Sequence, residues 1–166
     1  TLLTEGTLAT SVFSKITIPA QQYACDFPTE EDINQVFKQE VQGIDLSKFI
    51  RISGLDLINT QMKATSGDFS FLTALKVSFI PAPVNGVPQQ AVVLGEASAP
   101  GGFGDTIDLV PPGPVDILKL VRQNDAENSG GCPRIQYELT FQTPPTQDVP
   151  FELYSTLDVY ALISQN

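Results

Sequence analysis

Near its C-terminus the chain alternates apolar and polar residues so regularly that an extended strand is the conformation that fits. Ile135, Tyr137, Leu139 and Phe141 face one way, and Gln136, Glu138, Thr140 and Gln142 face the other. Successive side chains point to opposite faces in a β-strand, whereas a helix would scatter this pattern around its axis. After a turn-rich segment at 144–150 the alternation resumes. Phe151, Leu153, Leu157, Val159, Ala161 and Ile163 are then opposed by Glu152, Thr156, Asp158 and Ser164. Both runs read as half-buried strands, expected to pair or to lie close together.

The same period marks Phe69, Phe71, Leu75, Val77 and Phe79, and also Leu8, Val12, Ile16 and Ile18. Between Phe49 and Thr60 the apolar parity changes from Ile50 and Ile52 to Leu55 and Leu57, with Gly54 at the change. A β-bulge or bend within one strand accounts for that switch. Shorter β-branched and Leu-rich runs at 91–96 and 106–110, bounded by Gly and Pro, bring the expected total to about seven strands.

One amphipathic helix is expected near 30–42. Thr29 supplies a capping hydroxyl, Glu30, Glu31 and Asp32 complement the helix dipole, Ile33, Val36, Phe37 and Val41 share a face, and Gly43 is a natural stop. A short second helix is chosen near 115–122, with Pro114 at its first position, although Val115, Ile117 and Val121 also alternate.

Strands in this number with few helices point to a mainly β, two-sheet antiparallel sandwich. At 166 residues, with no internal repeat and no long structureless linker, 1–166 reads as one domain. The pattern resembles immunoglobulin-like or transthyretin-like sandwiches of exported bacterial proteins, a resemblance of architecture that implies the sandwich but no particular activity.

Charge and residue usage narrow the partners. The net charge of -10 repels phosphate backbones, so nucleic acid is not an expected partner, and no apolar run reaches the length of a transmembrane helix. Cys25 and Cys132 are the only cysteines, and with few lysines and arginines they favour one disulfide in an oxidising compartment. The sequence begins at Thr1 without Met, and it contains no Asn-x-Ser/Thr sequon. An extracellular, cell-surface or periplasmic protein of bacterial origin, with its leader removed, is the expectation.

Histidine is absent. That removes the commonest general base, the commonest transition-metal ligand and every Ser-His or Cys-His dyad. No cofactor is expected. Calcium is the remaining ion to weigh, because Asp125, Glu127 and Asn128 offer oxygen ligands in one loop, without EF-hand spacing. Paired carboxylates for glycoside hydrolysis could be drawn from Asp105 and Asp108, or from Asp56 and Asp68. The four tyrosines, Tyr23, Tyr137, Tyr154 and Tyr160, are candidates for a carbohydrate platform, and Tyr154, Tyr160 and Leu162 share an outward face expected to lie under the first helix.

The resulting reading is a non-catalytic binding or structural module, acting on a protein or carbohydrate partner through loops or an edge strand. Its contact residues are expected in two loops: Phe103 and Asp105 in the Gly-rich 101–105 loop, and Asp125, Glu127 and Asn128 in the 125–131 loop. Phe103 could instead fold back as a plug on the end of the sandwich. The competing readings are a carrier of an apolar ligand between the sheets and a carboxylate-dependent carbohydrate hydrolase.

Overall fold

A computed structural model describes residues 3–8, 14–16, 29–40, 46–126 and 131–164. Among them are eight strands and two helices: β1 (Leu3–Leu8), β2 (Ser14–Ile16), α1 (Glu30–Glu40), β3 (Phe49–Ala64), β4 (Leu72–Ile80), β5 (Val92–Ser98), β6 (Thr106–Leu109), α2 (Ile117–Ala126), β7 (Arg134–Phe141) and β8 (Phe151–Ser164). The larger antiparallel sheet runs β6-β3-β8, with β1 and β2 in turn along the far edge of β8. The smaller runs β5-β4-β7. The N-terminal run expected as one strand contributes two, and its residues 9–13, 17 and 18 lie outside the described residues.

The two sheets meet across a core of Met62, Leu72, Leu75, Val77, Ile107 and Leu109, as a sandwich requires. On one side the sandwich is closed, because Glu96 and Val110 exchange backbone hydrogen bonds at 3.0 and 3.3 Å and join β5 to the end of β6. On the other side β7 and β8 lie in different sheets. Of the two arrangements expected for these strands, pairing does not occur, since β7 pairs with β4 and β8 with β3, but β7 and the start of β8 do lie close together. Their 142–150 connection carries Pro144, Pro145 and Pro150, which suits a crossing between sheets rather than a tight hairpin.

β3 explains the parity switch seen in the sequence. Ile52 lies across from Ala161, Leu55 from Val159, Leu57 from Leu157 and Met62 from Leu153, and register shifts fall between Ile52 and Gly54 and between Leu57 and Asn59. Each extra residue restores the apolar side chains to the inner face. At the first shift Tyr160 covers Gly54 from the outer face, and a Cβ there would sit 3.2 Å from the tyrosine ring.

β6 pairs only with Thr60–Lys63 of β3, so the rest of that edge needs other partners. The helices provide them. Leu57 N–H donates to the Val115 carbonyl at 2.9 Å, Leu55 N–H to Asp116 Oδ1 at 3.1 Å, and Ile52 N–H to Asn34 Oδ1 at 3.0 Å. The Ile52 carbonyl accepts from Arg122 at 3.3 Å. Phe37 and Leu118 then cover Ile52, Leu55, Val159 and Ala161. The helices therefore lie on the inner face of the larger sheet, and the outward trio of Tyr154, Tyr160 and Leu162 is not what they cover.

Both helix starts are capped. Thr29 and Asp32 form a reciprocal box, with Thr29 N–H donating to the Asp32 carboxylate at 2.9 Å and Asp32 N–H to the Thr29 hydroxyl at 3.2 Å. The expected stop at Gly43 lies outside the described residues. Asp116 caps α2, accepting from Leu118 N–H at 3.0 Å. Pro114 therefore precedes the cap instead of opening the helix, and α2 extends beyond the expected 122 to Ala126.

Arg122 donates to Glu30 at 2.7 Å and joins the two helices. This hydrogen bond holds the Glu30 carboxyl below the ordinary glutamate range and raises Arg122. A depressed carboxylate pKa contributes stability that is complete above the unfolded value and is lost as pH falls through the folded one. Both groups are about a third exposed, so the contribution is at most about 1 kcal/mol. Glu30→Gln is expected to cost that amount at neutral pH and nothing at a pH well below the glutamate range, as read from urea unfolding midpoints at both conditions. Asp116→Ala loses the cap and the acceptor for β3 together, with an expected loss of about 1–3 kcal/mol. Asp116→Asn, which keeps an acceptor oxygen, is expected to lose less in the same unfolding measurement.

Candidate functional site

The open side of the sandwich carries a row of exposed large apolar residues, Ile135, Tyr137, Leu139, Phe141 and Phe151. All of β7 is exposed. Its apolar side chains share the inner face with Leu72, Leu75, Val77 and Phe79, their partners on β4. Yet Ile135 is 39%, Tyr137 42%, Leu139 46% and Phe141 50% exposed. The alternation expected to half-bury this strand therefore leaves its apolar row open to solvent.

Between β7 and the start of β8 lies a groove of about 490 Å³, lined by Phe71, Tyr137, Leu139, Phe141, Val149 and Phe151 over a floor that includes Met62 and Leu75. Phe71 stacks on Phe141 at 6.1 Å between ring centroids, and Phe69 meets Phe151 edge-on at 6.4 Å. Gln147 and Asp148 are the polar residues of the wall. Burial pushes the Tyr137 phenol above the usual tyrosine range, consistent with a ring resting on apolar neighbours.

Along its backbone, β7 has one used edge and one open edge. The Gln142 N–H donates to the Phe71 carbonyl at 2.9 Å, and the Thr140 carbonyl accepts from the Thr73 hydroxyl at 3.4 Å, so even-numbered residues turn their backbone groups toward β4. In an antiparallel ladder the direction alternates, and Ile135, Tyr137 and Leu139 turn theirs outward. Among the described residues no strand pairs with that outer edge.

The loop residues singled out in the sequence fall elsewhere. Phe103 is 9% exposed and belongs to the intersheet core, so it is the plug and not a displayed contact. Gly102 makes this possible: its φ is 92°, and a Cβ would lie 2.4 Å from the Ser70 carbonyl oxygen. Asp105 is exposed and accepts from the Thr106 hydroxyl at 3.3 Å. Asp125 lies in the last turn of α2, not in the loop expected for it, while Glu127 and Asn128 lie outside the described residues. Cys132, exposed just ahead of β7, is in a disulfide. Cys25 lies outside the described residues.

Asp56 and Asp68 are not brought together, and Asp56 instead faces Asp158 across the β3–β8 ladder. Asp56 sits mid-strand, with about 26 Å of strand between it and Ala64, and Asp68 comes only after that end. Asp108 accepts from the Asn59 amide at 2.9 Å, and Asp68 from the Ser70 N–H at 3.1 Å. Among the described residues no three acids or cysteines cluster as metal ligands. The tyrosines are likewise dispersed: Tyr137 is in the groove, Tyr154 donates to Glu152, and Tyr160 lies over Gly54, its phenol raised chiefly by Asp56. Tyr23 lies outside the described residues. Among the described residues no helix is long and apolar enough to cross a membrane.

No protein-family model matches the chain, and neither a curated protein nor a solved structure matches it.

The groove was missed in the sequence because alternation reports which residues share a face and not what covers that face. A clue was available in the run from Ile135 to Phe141, whose apolar residues are as large as those of any buried strand but whose flanking 142–150 segment has no apolar pattern to lie over them. Phe103→Ala is expected to cost about 3–5 kcal/mol in chemical unfolding, whereas a surface contact residue would cost less than about 0.5 kcal/mol.

Proposed function

We propose that this protein is a non-catalytic binding module, an exported sandwich of the immunoglobulin-like or transthyretin-like kind, whose binding element is β7 with the groove beneath it. Its partner is an extended protein segment carrying apolar side chains at alternate positions. The observation that carries this reading is the coincidence on one strand of a backbone edge that no described strand pairs with and a row of half-exposed large apolar residues. An added strand would bond to the outward groups of Ile135, Tyr137 and Leu139, while its alternate side chains entered the groove. Export is supported by the disulfide at Cys132, with Cys25 as its proposed partner and an oxidising compartment as the setting.

One observation favours a second reading. A volume of about 490 Å³ lies within the range that holds small ligands, roughly 300–1,000 Å³, so the groove could instead carry an apolar molecule. The unpaired edge distinguishes the two, since a small apolar molecule has no use for backbone donors and acceptors.

Selection of random octapeptides against the immobilised protein tests the first reading. Bound peptides are expected to show apolar residues at every second position and to lose at least about tenfold in affinity for Leu139→Arg, equivalent to about 1.4 kcal/mol. Peptides without that period, or indifferent to the substitution, would overturn it. Binding of a fluorescent apolar dye that is lost in Leu139→Arg, with no peptide selected, would favour the carrier.

A further inference from the structure

Resting on the reading of β7 as the binding edge, we infer that the segment it receives is β7 of a second copy, added antiparallel across a two-fold axis at Gln136. The charges on the outer face of the strand carry this inference. Arg134 and Glu138 stand four residues apart on that face, both exposed, with Gln136 midway between them. When two such strands run antiparallel about Gln136, Arg134 of each copy faces Glu138 of the other, so one geometry creates two opposite-charge pairs.

The backbone agrees with this register. Gln136 turns its groups toward β4, so at the axis the two copies would meet as a pair without mutual hydrogen bonds. Ile135 and Tyr137, whose groups turn outward, would face each other as the bonded pair on either side. Shifting the axis to Glu138 would instead set Glu138 against Glu138, a like-charge contact. The sheet would become a continuous six-stranded one, β5-β4-β7 from each copy, with both apolar rows on the same face.

Two features bound its strength. Glu138 already has Lys76 of its own copy at 3.6 Å, although the carboxylate side chain remains 54% exposed and has oxygen capacity to spare. The net charge of -10 per chain also opposes association at long range. A short strand pairing under these conditions gives a reversible, concentration-dependent dimer, not an obligate one.

Sedimentation velocity over a concentration series tests it on the full chain. The unaltered protein is expected to shift from monomer toward dimer as concentration rises. Arg134→Glu and Glu138→Arg are each expected to weaken association at least about tenfold, about 1.4 kcal/mol, and the double variant R134E/E138R to regain most of it. Circular dichroism and unfolding midpoints close to those of the unaltered protein would establish that each variant folds. A monomer at every concentration would overturn the inference, as would a dimer unaffected by both single substitutions or one not restored by the double. Failure here leaves the peptide selection free to succeed, so loss of the self-pairing and loss of the edge-strand reading are distinguishable.

Discussion

The covering of one edge of β3 organises the rest of this fold. Only Thr60–Lys63 find a strand there, in β6. Farther along, Ile52, Leu55 and Leu57 pass their backbone groups to Asn34, Arg122, Asp116 and the Val115 carbonyl. An unsatisfied amide in such a setting costs about 1–3 kcal/mol, so several together would be incompatible with a stable sheet. Two helices are thereby fixed on the inner face of the larger sheet, and that face is divided: Ile52, Leu55, Val159 and Ala161 lie under helices, whereas Met62 and Leu153 lie under the smaller sheet.

That division accounts for the open groove. Because the helices occupy one end, the smaller sheet is needed only over the other, and among the described residues it has three strands. The sandwich closes through β5 and β6, and among the described residues no corresponding bridge joins β7 to β8. The large side chains of β7 thus pack beside those of β4 and stay half-exposed toward the gap. Phe71 and Phe151 narrow the opening without sealing it.

Much of this architecture was legible in the sequence, and the limits have physical causes. Alternation located the β4, β7 and β8 runs because a pleated strand with one apolar face has no other signature. The parity change at Gly54 forecast the bend, since inserted residues are the means by which a long twisted strand keeps the same face inward. The capping Thr29 and the acidic first turn of Glu30, Glu31 and Asp32 located α1. What could not be read was which strand pairs with which, because pairing depends on backbone geometry and not on side-chain period; β7 and β8 share a period and occupy different sheets. Asp116 illustrates the same limit at one residue. Its role as a cap is local and readable, but its second role, accepting from Leu55 N–H, joins residues 61 positions apart. The candidate loop residues misled because Gly-rich sequence signals backbone freedom, and at Gly102 that freedom serves to bring Phe103 inward.

The two strand edges differ in a way that bears on function. Natural sheets blunt exposed edges with charges, prolines, bulges or covering helices, because open amides and carbonyls recruit other strands. At β3 this chain uses helices. At β7 it has Pro133 before the strand and Pro144 after it, but within the strand the outward backbone groups belong to Ile135, Tyr137 and Leu139, none of which deters pairing. The charges Arg134 and Glu138 are of opposite sign, so they do not repel every incoming strand but discriminate among registers. An edge meant only to be inert would be served better by two lysines. Opposite charges placed symmetrically about Gln136 instead leave pairing permitted and make its geometry selective, which is the property that separates a recognition edge from an aggregation-prone one.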